Sequence, residues 1–128
     1  MLEAAMAAMG FDVVASRFGE GGSPFLSARR VAEQLGVTLS ELAKLTGVAR
    51  NTLTAKSSAR KVDSALSPIV RILAMAAEMA GDESRAVIWF KHQPIPGWAG
   101  KTAFDLVNEG KADRVLAYLE AVRSGVYA

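Results

Sequence analysis

Apolar positions recur along this chain at helical spacing, and nowhere do they alternate for long enough to make a strand. From Ser27 the pattern runs Val31, Ala32, Leu35, a single apolar stripe that Gly36 is placed to stop. A second short helix is predicted from Ser40, whose hydroxyl can cap free backbone amides, through Glu41-Leu42-Ala43-Lys44-Leu45 to Gly47, which permits a sharp turn. A third runs from Ala49 to Lys56. Ser67-Pro68 reads as a capped start with proline at the first helical position, where its missing N–H costs nothing, opening a helix from Ile69 to Ala80. That helix is apolar nearly all round, through Ile69, Val70, Ile72, Leu73, Met75, Ala76 and Met79, which suits a central helix or a dimer seam.

After Gly81, Asp82 can cap a helix from Glu83 to about His92, with Val87, Ile88 and Phe90 as its apolar side and Pro94 and Pro96 blocking continuation. Thr102 and Asp105 have the spacing of a capping box before Leu106 and Val107, and Gly110 closes that helix. The last helix spans Ala112 to Ser124, with Val115, Leu116, Leu119 and Val122 on one side. The fold class is therefore all-α. Gly19 to Pro24 is the clearest linker, and the Ala- and Met-rich Met1 to Phe18 before it reads either as a helix for a partner subunit or as plain core or frayed terminus. The chain divides into an N-terminal segment and linker (1–26), a helical region with the central helix (27–81) and a C-terminal region (82–128).

With 128 residues, 51% of them hydrophobic, the default is one compact helical unit. A net charge of +2 does not by itself select a partner. The absence of cysteine excludes disulfides, thiolate metal sites and cysteine nucleophiles, and a cytoplasmic setting fits best. Met1 to Gly10 contains Glu3 and lacks a basic leader, so it does not read as a signal peptide. The longest apolar stretches, such as Ile72 to Ala77, fall far below the roughly 20 residues a membrane span needs. His92 stands alone, Asp82-Glu83 read as helix-start charges, and Gly19 to Gly22 lacks the Lys-Ser/Thr that a phosphate loop requires. No catalytic residue, metal site or cofactor is expected.

Local charge is more informative. Ala43 to Val62 contains Lys44, Arg50, Lys56, Arg60 and Lys61 and no Asp or Glu. Within it, Leu39 to Lys56 resembles the helix-turn-helix of Xre-type repressors: Ala43 is the small residue that lets two helices approach, Gly47 the turn, and Leu42, Val48 and Leu53 the small core beneath. Thr46 and Lys56 stand where such motifs usually carry buried aliphatic residues. The resemblance implies operator DNA as a partner, with Arg50, Asn51 and Thr52 at base edges in the major groove. It leaves Lys56, Arg60 and Lys61 for phosphate contacts, which give affinity and salt dependence without reading sequence. The plain alternative is a solvated basic face on a helical hairpin.

From Ala86 to Ala128, Trp89-Phe90, Pro94 to Pro96, Gly100-Lys101-Thr102-Ala103-Phe104-Asp105-Leu106-Val107, Gly110, Arg114-Val115-Leu116 and Gly125-Val126-Tyr127-Ala128 resemble the toxin-binding domain of Xre/MbcA/ParS-like antitoxins. Ala103 stands where many members have proline. The resemblance implies a helix-turn-helix bundle followed by a small helical toxin-binding region, and an antitoxin that covers the active site of a RES-domain, NAD-consuming toxin while repressing its own operon. Tyr127 beside the carboxylate of Ala128 would be a compact plug for a nucleotide cleft, with Lys101, Arg114 and Arg123 pairing acidic groups on the toxin. Trp98, in a Pro- and Gly-rich loop, is a contact residue or merely a cap on the core, whereas Trp89 reads as core. A homodimer is expected, since helix-turn-helix proteins commonly bind two half-sites. The alternatives are a stand-alone dimeric transcriptional regulator and a protein-binding adaptor whose helix-turn-helix no longer reads DNA.

Overall fold

The computed structural model describes residues 24–125. Tyr127, Ala128, the lead segment and most of the Gly19 to Pro24 linker lie outside these described residues. Seven α-helices follow one another among them: α1 (Ala28–Leu35), α2 (Leu39–Thr46), α3 (Arg50–Leu53), α4 (Ala59–Ala80), α5 (Glu83–His92), α6 (Ala103–Asn108) and α7 (Ala112–Arg123). A 3-10 turn over Lys56–Ser58 leads into α4, and an isolated antiparallel bridge joins Pro94 and Thr102. The chain divides into two compact units at Ser67 and Pro68, inside α4, with Leu45–Gly47 grouped with the second.

In the first unit α1 begins where Ser27 Oγ accepts the Arg30 amide at 3.4 Å. It ends at Gly36, whose φ of 67° lets the chain turn back so that the Val37 amide reaches the Ala32 carbonyl at 3.0 Å. Val31 and Leu35 on one face of α1 are fully buried, and Leu42, Val62 and Leu66 of the same unit are buried as well. The cap of α2 is Thr38, not Ser40: Thr38 Oγ1 accepts the Glu41 amide at 3.0 Å and Glu41 Oε1 accepts the Thr38 amide at 2.9 Å, a reciprocal capping box. Ser40 is exposed one residue inside the helix. Asp63, on α4, holds the entry to α1 through a 2.8 Å hydrogen bond accepted from the Leu26 amide.

The expected helix start at Ser67-Pro68 is not there, because α4 begins eight residues earlier, at Ala59, and carries Pro68 in its interior. The Ser67 hydroxyl donates to the Asp63 carbonyl at 2.9 Å instead of capping amides. Proline in a helix interior costs about 3 kcal/mol. Burial of Ile69, Val70, Ile72 and Leu73 immediately after it, at roughly 1.5–3 kcal/mol per large side chain, is enough to keep the helix continuous. The apolar stripe of α4 through Met75 and Ala76 is buried within this single chain, so it is core, and only Met79 is left exposed.

In the second unit Asp82 caps α5, its Oδ1 accepting the Arg85 amide at 2.7 Å. The capping box expected at α6 is present, with Thr102 Oγ1 accepting the Asp105 amide at 3.1 Å and Asp105 Oδ2 accepting the Thr102 amide at 3.0 Å. Phe90 is fully buried and meets Phe104 edge-on, ring centres 6.0 Å apart and planes at 76°. Ile95, Leu106, Val115 and Leu119 complete that core. The apolar side predicted for α5 is divided by the structure: Ala86 and Phe90 face the core, whereas Ile88 is 59% exposed. No single helix among the described residues is long and apolar enough to cross a membrane.

Replacing Asp63 by Ala is expected to lower stability by about 1–3 kcal/mol in urea melts, the cost of a half-buried Leu26 amide left without its acceptor. Asp63→Asn, which keeps an acceptor oxygen, should lose less. An Ala variant that melts like the parent would contradict this role.

Candidate functional site

Gly47, at φ 72°, makes the turn between α2 and α3. Leu42, Val48 and Leu53 are buried and Ala43 is half-buried, as the motif requires of them. Helix α3 is shorter than the Ala49 to Lys56 expected. It has four residues, opens at Ala49 with no side-chain cap and ends as Thr54 leaves helical geometry. Lys56, exposed in the 3-10 turn, has no apolar side chain with which to extend the buried face.

Arg50 and Asn51 occupy the first turn of α3 and are exposed, while Thr52 is half-buried, its amide bonded to the Ala49 carbonyl at 2.9 Å. Arg60 and Lys61 are exposed in the first turn of α4. The structure thus leaves Arg50, Asn51, Lys56, Arg60 and Lys61 open to solvent on α3, the 3-10 turn and the first turn of α4, in a stretch with no carboxylate. That arrangement is suited to a polyanion.

The C-terminal candidates are arranged differently. Gln93 to Lys101 folds back on itself, with the Ile95 amide bonded to the Lys101 carbonyl at 2.8 Å and the Lys101 amide to the Trp98 carbonyl at 3.0 Å. Buried Ile95 anchors this loop. Ala99, between Gly97 and Gly100, sits at φ 53°, in the left-handed region that side chains with a Cβ disfavour.

Trp98 is half-buried, and the Lys111 Nζ lies 5.5 Å from its ring centre. Lys101 Nζ is 2.7 Å from Glu109 Oε2, and Lys111 Nζ is 3.2 Å from Glu109 Oε1. One carboxylate therefore joins both lysines and, through Lys111, the indole of Trp98. Hydrogen bonds from Lys101 first and then Lys111 hold the Glu109 carboxyl below its ordinary value of 4.5.

Of the remaining predicted contacts, Arg114 is exposed at 3.9 Å from Asp113, and Arg123 Nη2 donates to both Glu120 Oε1 and Oε2, at 2.7 and 2.8 Å. Tyr127 and Ala128 lie outside the described residues.

Two family models match the chain. That of the antitoxin Xre-like helix-turn-helix domain takes in residues 16–69, and that of the antitoxin Xre/MbcA/ParS C-terminal toxin-binding domain takes in residues 75–125. The chain belongs to the Xre-type antitoxins. No curated protein and no solved structure matches it significantly. For this antitoxin the two domains point to a non-enzymatic regulatory protein with a toxin as partner.

Residue reading missed Glu109 and Lys111. Both flank the Gly110 turn and look like ordinary surface charges, and only the fold brings Lys101 to them across eight positions. The exposure of Ile88 is hidden in the sequence by its apolar neighbours. A residue two positions from Phe90 lies about 200° around a helix from it, on the far side from the core.

Glu109 has its pKa lowered by folding, so its stabilising contribution is complete above the ordinary value of 4.5 and is lost as pH falls through the depressed one. Acid titration should then release Lys111 and change the Trp98 fluorescence, measured in a Trp89→Phe background, and Glu109→Gln should abolish that step. An identical titration in the Gln variant would show that another group is responsible.

Proposed function

We propose that this antitoxin neutralises a RES-domain, NAD-consuming toxin by direct binding and represses its own operon as a DNA-reading homodimer in the cytoplasm. The observation that carries the reading is the tandem of an antitoxin helix-turn-helix domain and a toxin-binding domain in one chain. A protein that couples the two can sense free toxin through its occupancy and adjust transcription in step.

On the DNA side, Arg50 and Asn51 have the chemistry to read guanine and adenine edges, with Thr52 beside them and Lys56, Arg60 and Lys61 on phosphates. On the toxin side, Trp98, Lys101, Arg114 and Arg123 are offered by the C-terminal domain, with Tyr127 and Ala128 as the plug. Since Lys101 is engaged by Glu109, its part is to hold the Trp98 loop in place more than to reach outward. The four-residue α3 specifically favours a second reading, in which the domain has kept the fold and given up base recognition.

Gel-shift titration with the DNA upstream of its own gene separates these. Arg50→Ala and Asn51→Ala should each weaken binding by about 1–3 kcal/mol. Lys56→Ala, Arg60→Ala and Lys61→Ala should weaken it on any sequence and each lower the salt slope by about one. Scrambling one half-site should remove most of the affinity of a dimer. Absence of binding, or affinity untouched by Arg50→Ala with Asn51→Ala, would leave the adaptor.

Co-purification with a RES-domain toxin, the proposed partner class, tests the other half. The full chain should form a stable complex, and a chain ending at Ser124 should form a weaker one. A full chain that does not hold this protein would leave a stand-alone regulator.

A further inference from the structure

Among the described residues two large hydrophobic side chains are exposed, Met79 at 38% and Ile88 at 59%, and both fall within the toxin-binding domain. Ile88 has no folding reason to be where it is. Its own helix turns Ala86 and Phe90 to the core, and a β-branched residue at an exposed helical position is a poorer helix former than Glu or Lys.

The side chains that share its face are distinctive. Arg85 and His92, three residues before and four after, are also exposed, so the outer side of α5 is an apolar centre between two basic groups. The stretch Ser84 to Phe104 holds Arg85, Lys91, His92 and Lys101 and contains no Asp or Glu. The Asp82 carboxylate lies 3.4 Å from Arg85 in an exposed pair, which binds too weakly to keep Arg85 from another partner.

We propose that this outer face of α5 is a toxin-contact surface, with Ile88 entering an apolar socket on the toxin whose rim carries carboxylates facing Arg85 and His92. It rests on the reading of the partner as a RES-domain toxin and adds a site separate from the Trp98 loop and the C-terminal plug. The choice of toxin over other occupants follows from where the face lies: among the described residues the exposed large apolar side chains are confined to the toxin-binding domain. An apolar anchor ringed by polar contacts is the usual form of the few residues that dominate a protein interface.

The test is Ile88→Glu and, separately, Arg85→Glu in the full chain, titrated against the purified RES-domain protein. The Glu introduced at 88 is a better helix former and can pair with Arg85 and His92, so the thermal midpoint should stay the same or rise. Affinity should nevertheless fall at least about tenfold, as for loss of an interface anchor. Arg85→Glu should give a smaller loss that shrinks as salt is added. If Ile88→Glu holds the toxin like the parent, the face is not the contact surface, and the toxin reading itself stands. If the parent fails to hold the RES-domain protein, both are overturned. Halving of the mass in light scattering by Ile88→Glu, with toxin affinity unchanged, would make the face a seam between copies and overturn the proposal.

Discussion

The described structure depends on α4 remaining one helix through Pro68. Its 22 residues supply Val62 and Leu66 to the core of the first unit and Ile69, Val70, Ile72 and Leu73 to that of the second. A proline at that point removes the amide that would bond to the Ser64 carbonyl, and Ser67 directs its hydroxyl back to the Asp63 carbonyl. Helical geometry persists because Ile69, Val70, Ile72 and Leu73, which follow, are buried. Hydrophobic burial decides the outcome, and local propensity yields to it.

That competition also marks the limit of what residues alone reveal. Helix positions and most caps were legible, since Gly36, Gly47, Asp82, Thr102 with Asp105, and Gly110 punctuate the chain where the structure does. Ser67-Pro68 misled, because a motif that starts helices is also tolerated inside one when the flanking stripe is sufficiently apolar. Ser40 misled more mildly, since Thr38 with Glu41 completes a reciprocal box that a lone serine cannot. On α5 the run Val87 to Phe90 concealed a division between core and surface that the spacing of Ala86 and Phe90 already contained.

The candidate sites were legible to different depths. Exposure of Arg50, Asn51, Lys56, Arg60 and Lys61 follows from a basic stretch laid over the small core of Leu42, Val48 and Leu53. The brace of Trp98, Lys101, Glu109 and Lys111 was not legible, because it is assembled from a loop and a turn that only tertiary folding brings together. A cationic cover and a shared carboxylate hold the indole in a loop already constrained by a positive φ at Ala99, and on the proposed toxin-contact role of Trp98 such pre-ordering would leave little freedom to lose on binding.

This antitoxin carries exposed cations in its helix-turn-helix domain and the exposed apolar side chains Met79 and Ile88 in its toxin-binding domain. On the proposed reading the toxin-binding domain silences an NAD-consuming enzyme by occupying it. The most direct measurement is the NAD content of cells in which the RES-domain protein is induced with and without this chain. The account predicts that NAD collapses when the toxin is expressed alone and is held near the uninduced level when the full chain is co-expressed. NAD that falls equally in both cultures, with both proteins present at comparable levels, would contradict it.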